Sequence, residues 1–474
     1  MKIAIFSPYA TVVPHFETEL EIAQSHLEQG HSVEYIGCYG KLANCDFNLT
    51  GETSRCEDCA GRRRAGLSLL NGEIQQTELP ATGQVPDIPY FEDMEEMKKF
   101  SIDHFDIGYA VLSSLVSASR NPEPDLDEWR ALIERLFRSS LSTYRATVDY
   151  LASSRPDRVY LFNGRFAAMR AVLRACQSQQ VDCFIHERGC NQQHYDLFPN
   201  YLPHDIDAVH RTLLKYWERN DPQREEIAAQ WYHDRQNRVE KNWHSFTRDQ
   251  VMGRVPETWN PEQKNITIFC SSEDEFVAVG EQWTNTIYSN QADGIKQIAQ
   301  DLWERSPDSQ IFLRVHPNMK NASPEAQQKI LEIRSPNLTI IPSEATIDTY
   351  EMLRRSDVVV TFGSTVGIES VFWGTPSVLL GPSFYRELGG VYAPSSHPEA
   401  IALLSRKLEP GNREAALIYG YWQQTRGIQY RFFESTGLFE GKFKDQVIYA
   451  GMNRRKPNLV QRVIDTLRGK ALPA

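Results

Sequence analysis

Short apolar runs alternate with amphipathic segments in the first half of the chain. Residues 2–7 (KIAIFS) predict a buried strand, residues 17–30 a helix that ends at a glycine, and residues 32–38 (SVEYIGC) a second strand. The pattern returns over residues 159–188, where VYLFNG and CFIHER flank a helical stretch. Two strands joined through a helix are the usual building unit of a parallel sheet.

A second series of such units begins at residue 266. Five apolar runs (ITIFCSS, QIFLRVH, LTIIP, DVVVTFG and PSVLLG) alternate with helical segments up to residue 381. Runs of this length are typical of strands in a parallel sheet that is covered on both faces. We therefore predict an α/β fold of two Rossmann-like, doubly wound domains that face each other across a cleft, where the ligands of such folds usually bind.

The two series also indicate domain boundaries. With 474 residues the chain exceeds what one hydrophobic core usually supports. We predict an N-terminal domain over residues 1–255, with a proline-containing, loop-rich insertion at about 38–125, and a C-terminal domain over residues 262–474. The segment PETWNP between them is a plausible linker, and the last helices either stay with the second domain or pack back on the first.

Charge and composition narrow the functional classes. The net charge is −11 and the longest basic run is Arg62-Arg63-Arg64, which argues against nucleic-acid binding as the main role. The first residues lack the long apolar stretch of a secretory signal, and no run approaches the roughly 20 apolar residues of a spanning helix. We therefore expect a cytoplasmic protein with reduced thiols, and a peripheral association with the inner face of the membrane stays open.

The most informative stretch is residues 358–382. A predicted strand ends at the tight turn Gly363-Ser364-Thr365, and a helix follows. Backbone N–H groups at the start of a helix, with two hydroxyls beside them, suit a phosphate. Glu369 lies one turn further on, where a carboxylate can accept hydrogen bonds from a ribose. An ordinary helix with Ser364 as its N-cap fits the same residues.

Two further strand ends lie in the same half. His316-Pro317 follows one strand, and the carboxyl ends of strands line the ligand crevice of open α/β sheets, so His316 should point into it. Its imidazole can donate to a phosphate oxygen, although a loop histidine before a turn proline fits as well. Ser271 and Ser272 follow the first strand of this half and are predicted donor contacts, while the acidic residues 273–275 would repel phosphate.

Taken in this order, the His-Pro pair and the later Ser-Thr pair resemble the capsular polysaccharide glycosyltransferases, a family that includes bacterial Kdo and sialic acid transferases of the GT-B fold. The stretch SDVVVTFGSTVGIESVFWGTPSVLLG is the strongest part of the resemblance, which extends over about residues 265–440. The resemblance implies that His316, Ser364 and Thr365 contact the phosphate of a nucleotide-sugar donor and that Glu369 contacts the sugar of the nucleotide.

The same resemblance implies transfer of a sugar from a CMP- or UDP-sugar to a surface or capsular glycan, free or lipid-linked. Two Asp-x-Asp pairs, at residues 125–127 and 205–207, do not follow a strong apolar strand, so we expect a metal-independent reaction that requires no cofactor. Two alternatives stay open. One is a nucleotide-sugar 2-epimerase of the same fold, which needs no acceptor, and the other is a non-catalytic glycan-assembly protein.

The opening of the chain, FSPYATVVPHFETELEIAQSHLEQGHSVEYI, is similar to that of many GT-B enzymes. In those enzymes a histidine in the loop after the first strand is the general base, which implies this role for His15. Pro14 stands where a small glycine is usual, and Glu17 and Glu19 lie close by, so any of His15, Glu17 and Glu19 is a candidate base. The alternative is that His15 is an ordinary residue of the first helical turn.

Polar residues also follow two later strands of this half. Asn163 and Arg165 come after VYLF, and Glu187 and Arg188 end the next strand. If the two strands are parallel neighbours, these side chains face the same edge and suit acceptor hydroxyls or an acidic sugar. We predict Asn163, Arg165 and Arg188 as acceptor contacts and Glu187 as the second candidate base. An ion pair between Arg165 and Glu187 is the structural alternative.

Four of the eight cysteines lie close together in the sequence. They could hold one structural zinc ion in tetrahedral geometry, although their spacing is not a common zinc-ribbon pattern. Small buried side chains, or a redox pair at the C-x-x-C, are the alternatives. The four residues are Cys38, Cys45, Cys56 and Cys59.

Overall fold

The computed structural model describes residues 1–78 and 85–448. Packing divides the chain into two compact units. The first unit comprises Met1–Ser119, Glu123–Pro203 and the described residues after 425. The second unit comprises Arg120–Pro122 and His204–Thr425.

Strands and helices alternate along most of the described chain. The strands are β1 (Lys2–Ser7), β2 (Ser32–Gly37), β3 (Gln75–Glu78), β4 (Arg158–Phe162), β5 (Asp182–Arg188), β6 (His194–Pro199), β7 (Lys264–Phe269), β8 (Ser309–Arg314), β9 (Leu338–Ile341), β10 (Val358–Thr361), β11 (Ser377–Leu379), β12 (Ile428–Gln429), β13 (Phe433–Gly437) and β14 (Glu440–Phe443). The helices are α1 (His15–Glu28), α2 (Thr53–Leu67), α3 (Met94–Lys98), α4 (Ile107–Ser119), α5 (Arg130–Ser154), α6 (Ala167–Ser178), α7 (Ile206–Trp217), α8 (Arg224–Gln236), α9 (Gln291–Arg305), α10 (Pro324–Leu331), α11 (Thr349–Arg355), α12 (Val366–Phe372), α13 (His397–Leu404) and α14 (Arg413–Thr425).

The first unit contains a seven-stranded sheet in the order β3-β2-β1-β4-β5-β6-β12. β1 to β5 are parallel, and β6 and β12 extend one edge with antiparallel strands. Consecutive apolar residues of the central strands, such as Ile3, Ala4 and Ile5, are fully buried, as expected of strands covered on both faces. The predicted parallel strands of this half are therefore confirmed.

The second unit contains a five-stranded sheet in the order β9-β8-β7-β10-β11, and all its strands are parallel. The first strand of the unit lies in the middle, and the strand order reverses beside it, as in doubly wound folds. Ile266, Ile268 and Val360 are fully buried in its core. Each unit is thus Rossmann-like, as predicted, and the cleft between them stays a prediction.

The boundary between the units differs from the one predicted near residues 255–262. α7 and α8 pack on α14 and belong to the second unit. Tyr232 of α8 donates to the carbonyl of Ala416 at 2.6 Å, and Tyr421 of α14 donates to the carboxylate of Asp221 at 2.8 Å. These contacts fix the polar segment before the predicted linker on the second unit, so the division lies at the start of α7.

After α14 the chain returns to the first unit. β12 pairs with β6, and Glu21 of α1 accepts the backbone N–H groups of residues 431–433, which holds the start of the β13–β14 hairpin on α1. Strands make this return, whereas the sequence analysis considered a return of the last helices to the first domain. Residues 449–474, on which part of that prediction falls, lie outside the described residues.

The described part of the predicted loop-rich insertion at about 38–125 contains three helices, α2, α3 and α4, and the edge strand β3. α4 (IGYAVLSSLVSAS) is buried along nearly its whole length and packs on α5 and α6. A helix that is apolar on all sides is a core element, so this part of the insertion belongs to the core of the first unit. Among the described residues, no helix is both long and apolar enough to cross a membrane.

Candidate functional site

The second unit brings three of the predicted strand ends together. β10, β7 and β8 are neighbours in the sheet, and each ends at a candidate donor contact. The Ser272 hydroxyl lies 3.2 Å from Nδ1 of His316, which joins the ends of β7 and β8. A Cβ placed on Gly363 would lie 4.0 Å from the Ser271 hydroxyl, which joins the ends of β7 and β10. The predicted grouping of these side chains at one sheet edge is confirmed.

His316 is held in one tautomer by its own turn. The backbone N–H of Asn318 donates to Nδ1 at 3.1 Å, just after Pro317 begins a short 3-10 turn. Nδ1 is therefore an acceptor, and in the neutral ring the proton is on Nε2. Burial, with a smaller effect from the positive charges of Arg235 and Arg314, lowers the pKa of His316 to about 4. At neutral pH the side chain is thus an uncharged N–H donor, so it serves the turn and is also free to donate through Nε2.

The turn between β10 and α12 requires glycine at its first position. Gly363 has φ +128°, and a Cβ there would lie 2.9 Å from the carbonyl oxygen of Pro382. The capping residue of α12 is Thr365, whose side chain makes no capping hydrogen bond. The carbonyl of Ser364 accepts from the Tyr385 hydroxyl at 2.5 Å. The interpretation of Ser364 as the N-cap is therefore corrected, because the helix begins one residue later.

Ser271 presents a buried hydroxyl at the same edge. Its side chain is 4% exposed, and Oγ has no hydrogen-bond partner among the described residues. Its backbone is fixed on both sides by Gln291, which accepts from Ser271 N at 2.8 Å and donates to Ser271 O at 3.0 Å. A buried hydroxyl without a partner is unfavourable, which indicates a group that a ligand can satisfy.

Glu369 does not present a free carboxylate to a ligand. It is 1% exposed and its oxygens accept three hydrogen bonds, from Arg235 Nε at 2.9 Å, from the Thr365 hydroxyl at 3.0 Å and from the Tyr350 hydroxyl at 2.6 Å. The predicted contact of Glu369 with the sugar of a nucleotide is therefore replaced by hydrogen bonds within the protein, because both carboxylate oxygens already accept from other side chains. Thr365 likewise directs its hydroxyl to Glu369.

Arg235 is the site residue that sequence reasoning missed. Its Nε donates to Glu369, a second nitrogen lies 3.3 Å from the Thr365 hydroxyl, and its side chain remains 41% exposed. Its positive charge also contributes to the lowered pKa of His316. The residue lies at the end of α8, and no strand ends near it in the sequence. Only its place in an otherwise polar helical segment marks it in the sequence.

In the first unit, His15 is the predicted base that remains available. It begins α1, and its ring lies 3.8 Å from the ring of Phe162 and 6.3 Å from that of His186, measured between centroids. Burial lowers its pKa well below the ordinary value, with further lowering from the charges of Arg188 and His186. The imidazole is therefore neutral at pH 7, which is the form that can accept a proton.

The two neighbouring glutamates are buried and interact with other side chains of the first unit. Glu17 is 2% exposed and forms an ion pair with Arg62. Glu19 is equally buried, accepts from the Tyr35 hydroxyl at 3.2 Å and lies 3.6 Å from Nε2 of His186. Neither carboxylate is accessible to an acceptor hydroxyl, so both are excluded as the base.

The acceptor candidates follow β4 and β5, which are parallel neighbours as expected. Glu187 accepts from the amide of Asn163 at 2.6 Å, while Arg165 donates to the Ser113 hydroxyl at 3.2 Å. Arg188 donates to two backbone carbonyls, of Val13 at 3.2 Å and Leu438 at 2.7 Å. Arg188 therefore fixes the loop just before His15, and Glu187 is held by Asn163.

The zinc site predicted at the four clustered cysteines stays a prediction, and the structure shows other contacts for two of their thiols. Within the described residues, no group of three or more His, Cys, Asp or Glu side chains is arranged to hold a metal ion, and all eight cysteines are free. Cys38 donates to the carbonyl of Pro8 at 3.2 Å, and Cys59 accepts from the N–H of Ala10 at the same distance. Cys38 and Cys59 therefore hold the loop after β1.

Comparisons with solved structures give only distant likenesses. The KpsC beta Kdo 2,4 transferase of Thermosulfurimonas dismutans is 12% identical with a TM-score of 0.40, over 64% of this chain and 87% of that chain. The KpsC beta Kdo 2,7 transferase of the same organism is 14% identical with a TM-score of 0.36, over 59% and 80%. A putative UDP-N-acetylglucosamine 2-epimerase from Listeria monocytogenes is 13% identical with a TM-score of 0.27, over 100% and 98%.

Comparison with protein families is more specific. No curated protein matches the chain. Residues 233–416 match the model of the family described as capsule polysaccharide biosynthesis protein. This segment begins in α8, two residues before Arg235, and includes every second-unit site residue described above. Over residues 233–416, the chain is similar to the capsule polysaccharide biosynthesis protein family.

Proposed function

We propose that the chain is a metal-independent glycosyltransferase that moves a sugar from a nucleotide-sugar, with CMP or UDP as the nucleotide, to a surface or capsular glycan, free or lipid-linked. The observation that carries the proposal is a set of hydrogen-bond donors at one edge of the second-unit sheet. They are the neutral imidazole of His316, the unpartnered hydroxyl of Ser271 and the fixed guanidinium of Arg235. The match of residues 233–416 to the capsule polysaccharide biosynthesis family model supports the same proposal.

The chemistry of these groups suits a phosphate that gains negative charge when the sugar leaves. Arg235 supplies a permanent positive charge, and hydrogen bonds to ionised groups are stronger than neutral ones. Nε2 of His316 and the hydroxyls of Ser271 and Ser364 add donors around the turn at Gly363. Donors that are already oriented stabilise developing charge without rearrangement, which is how such a site would assist departure of the nucleotide.

Glu369 is a positioning residue in this proposal. Arg235 is a long side chain that is 41% exposed, so it has many conformations unless a partner holds it. The buried carboxylate of Glu369 fixes Nε, and the Tyr350 hydroxyl fixes the carboxylate at 2.6 Å. Glu369 thereby orients the guanidinium without contacting the donor.

Activation of the acceptor is assigned to the first unit. His15 is neutral at pH 7, and the structure shows no hydrogen-bond partner for its ring among the described residues. A neutral imidazole can remove the proton of an acceptor hydroxyl. Glu187 is the second candidate, with one oxygen already accepting from Asn163. Asn163 and Arg165 would contact the acceptor, whereas Arg188 would hold the loop that positions His15.

Nucleotide binding tests the donor site. We expect one of CMP, CDP, UDP, GDP and ADP to bind the native protein in calorimetric titration. Arg235→Gln should weaken that binding about 10- to 100-fold, since one charge-assisted hydrogen bond contributes about 1.5–3 kcal/mol. Arg355→Gln is the matched control, because Arg355 also pairs with a glutamate in the second unit but lies on α11. Equal affinity of Arg235→Gln and the control would exclude the site, and absence of any nucleotide binding would favour the non-catalytic alternative.

Donor turnover distinguishes transfer from epimerisation. A transferase consumes the nucleotide-sugar faster when an acceptor glycan is added and attaches the labelled sugar to that glycan. An epimerase converts the donor sugar to its 2-epimer with no acceptor present. Formation of the epimer by the native protein, at a rate that acceptor glycan does not change, would contradict the proposed function.

A further inference from the structure

Residues 238–254, between α8 and β7, carry an unusual concentration of exposed apolar side chains. Thirteen large hydrophobic residues are exposed in the described part of the chain, and five of them lie in this one segment. Scattered exposed hydrophobics are ordinary, but a group of this density usually marks a contact surface. The five are Val239 (47% exposed), Trp243 (47%), Phe246 (38%), Val251 (51%) and Met252 (68%). We call residues 238–254 the apolar–basic loop.

The charge of the apolar–basic loop is opposite to that of the whole chain. The loop has four Lys or Arg and two Asp or Glu residues, a difference of +2, whereas the chain carries −11. Both acids pair with Arg248, Glu240 at 3.7 Å and Asp249 at 3.5 Å, and Lys241 pairs with Asp234 of α8. The positive charges without an acidic partner among the described residues are those of Arg238 and Arg254. The loop therefore presents positive charge beside its apolar side chains.

Backbone hydrogen bonds hold the apolar–basic loop in place. The Val251 N–H donates to the carbonyl of Thr346 at 2.8 Å, and the Gly253 N–H donates to the carboxylate of Asp348 at 2.7 Å. In return, the Asp348 N–H donates to the carbonyl of Arg254 at 2.8 Å. These contacts anchor the loop before α11. The side chains of Val251 and Met252 are thus displayed on a fixed backbone.

We propose that the apolar–basic loop is a membrane-contact surface that binds an anionic lipid bilayer. Trp and aliphatic side chains enter the headgroup region while Lys and Arg remain at the charged surface, and this loop has that composition. Anionic lipid attracts its net positive charge and repels the acidic remainder of the chain, so the loop is the part that makes contact. The ring of Phe246 lies 4.9 Å from that of His316, so the bound surface would adjoin the candidate donor site.

The inference goes beyond the proposed transfer reaction and is tested without nucleotide. Native full-length protein should sediment with vesicles that contain phosphatidylglycerol and much less with vesicles of phosphatidylcholine alone. Val251→Ser with Met252→Ser should weaken the binding at least about tenfold, because two apolar side chains no longer enter the bilayer. The matched control is Trp303→Ser with Leu331→Ser, which removes two similarly exposed side chains elsewhere in the second unit (42% and 39%). Binding by the control should equal that of native protein, and added salt should weaken both.

A second measurement needs no variant, which covers the case in which the loop substitutions unfold the protein. Amide hydrogen exchange of native protein should slow over residues 238–254 when anionic vesicles are added. The proposal is overturned if native protein does not bind these vesicles, if the loop variant binds as well as the control, or if exchange in the loop is unchanged. It is also overturned if sedimentation velocity shows a native dimer that the loop variant converts to monomer, since the loop would then join two copies of the chain.

Discussion

Replacing Glu369 by glutamine removes the charge that holds Arg235 and leaves the size of the side chain nearly unchanged. In the native structure the carboxylate accepts from Arg235 Nε and the Thr365 hydroxyl through one oxygen, and from the Tyr350 hydroxyl through the other. A glutamine amide has one accepting oxygen and one donating nitrogen. At least one donor would therefore face an N–H group, so we expect Glu369→Gln to lower both stability and nucleotide affinity.

The loss of stability follows from the burial of each partner. Hydrogen bonds to a charged group contribute about 1.5–3 kcal/mol each. The contribution from Arg235 must be reduced, because its side chain is 41% exposed and solvent screens the pair. The buried bond from Tyr350 then dominates, and the free energy of unfolding should fall by about 2 kcal/mol. In a domain of this size that corresponds to a melting temperature lower by about 4–8 °C.

The binding assay separates the two roles considered for Glu369. We expect Glu369→Gln to weaken the binding of UDP and of inorganic pyrophosphate by a similar factor, because a mobile Arg235 binds phosphate less well. The expected loss is about tenfold in affinity, which corresponds to about 1.4 kcal/mol of binding free energy. If the carboxylate contacted the ribose, pyrophosphate affinity would be unchanged and only UDP would bind more weakly. Calorimetric titration with both ligands makes the distinction.

A variant of Tyr350 is the control for this experiment. Tyr350→Phe removes one donor to Glu369 and leaves the contact with Arg235, so it should lower stability but change pyrophosphate affinity by less than about twofold. The reasoning is refuted if Glu369→Gln binds pyrophosphate as tightly as native protein, or if Tyr350→Phe weakens binding as much as Glu369→Gln does.

Three other substitutions test single residues of the two units. His316→Gln should flatten the rise in stability between pH 4 and 6.5, because the unfolded chain binds a proton on His316 below about 6.5 whereas the folded pKa is about 4; urea unfolding at several pH values measures it, and equal slopes contradict it. His15→Ala should lower transfer about 10²- to 10⁴-fold without changing UDP affinity; transfer at the native rate contradicts it. Gly363→Ala should lower the free energy of unfolding by about 1–3 kcal/mol, because φ is +128° and the new Cβ meets the Pro382 carbonyl; an unchanged urea midpoint contradicts it.

The fold follows from the sequence where burial is nearly complete. Central strands of a parallel sheet are covered on both faces, so β1, β7 and β10 are continuous apolar runs that the pattern alone identifies. The boundary between the units could not be identified from the pattern alone. α8 is polar over most of its length, but its buried residues Trp231 and Tyr232 pack it on α14, where Tyr232 donates to the carbonyl of Ala416. A contact between segments this far apart in the chain has no signature in the pattern of polar and apolar positions.

The insertion shows a second limit of the pattern. α4 lies among prolines and short loops, and its apolar residues occupy all sides of the helix. An amphipathic stripe, which is the usual sign of a helix, is therefore missing. Only the packing on α5 and α6 shows that the segment is part of the core.

In the candidate site, too, some residues could be predicted from the sequence and others could not. Residues at strand ends were predictable because the carboxyl ends of parallel strands meet at one edge, and Ser271, His316 and Gly363 lie there. Arg235 comes from a helix more than a hundred residues before its partner Glu369, and no spacing rule connects them. Glu369 lies one turn into the helix after Gly363, as predicted, but its carboxylate accepts from Arg235. Spacing places a carboxylate near a turn, but burial decides whether it meets a ligand or another side chain, and at 1% exposure it meets Arg235.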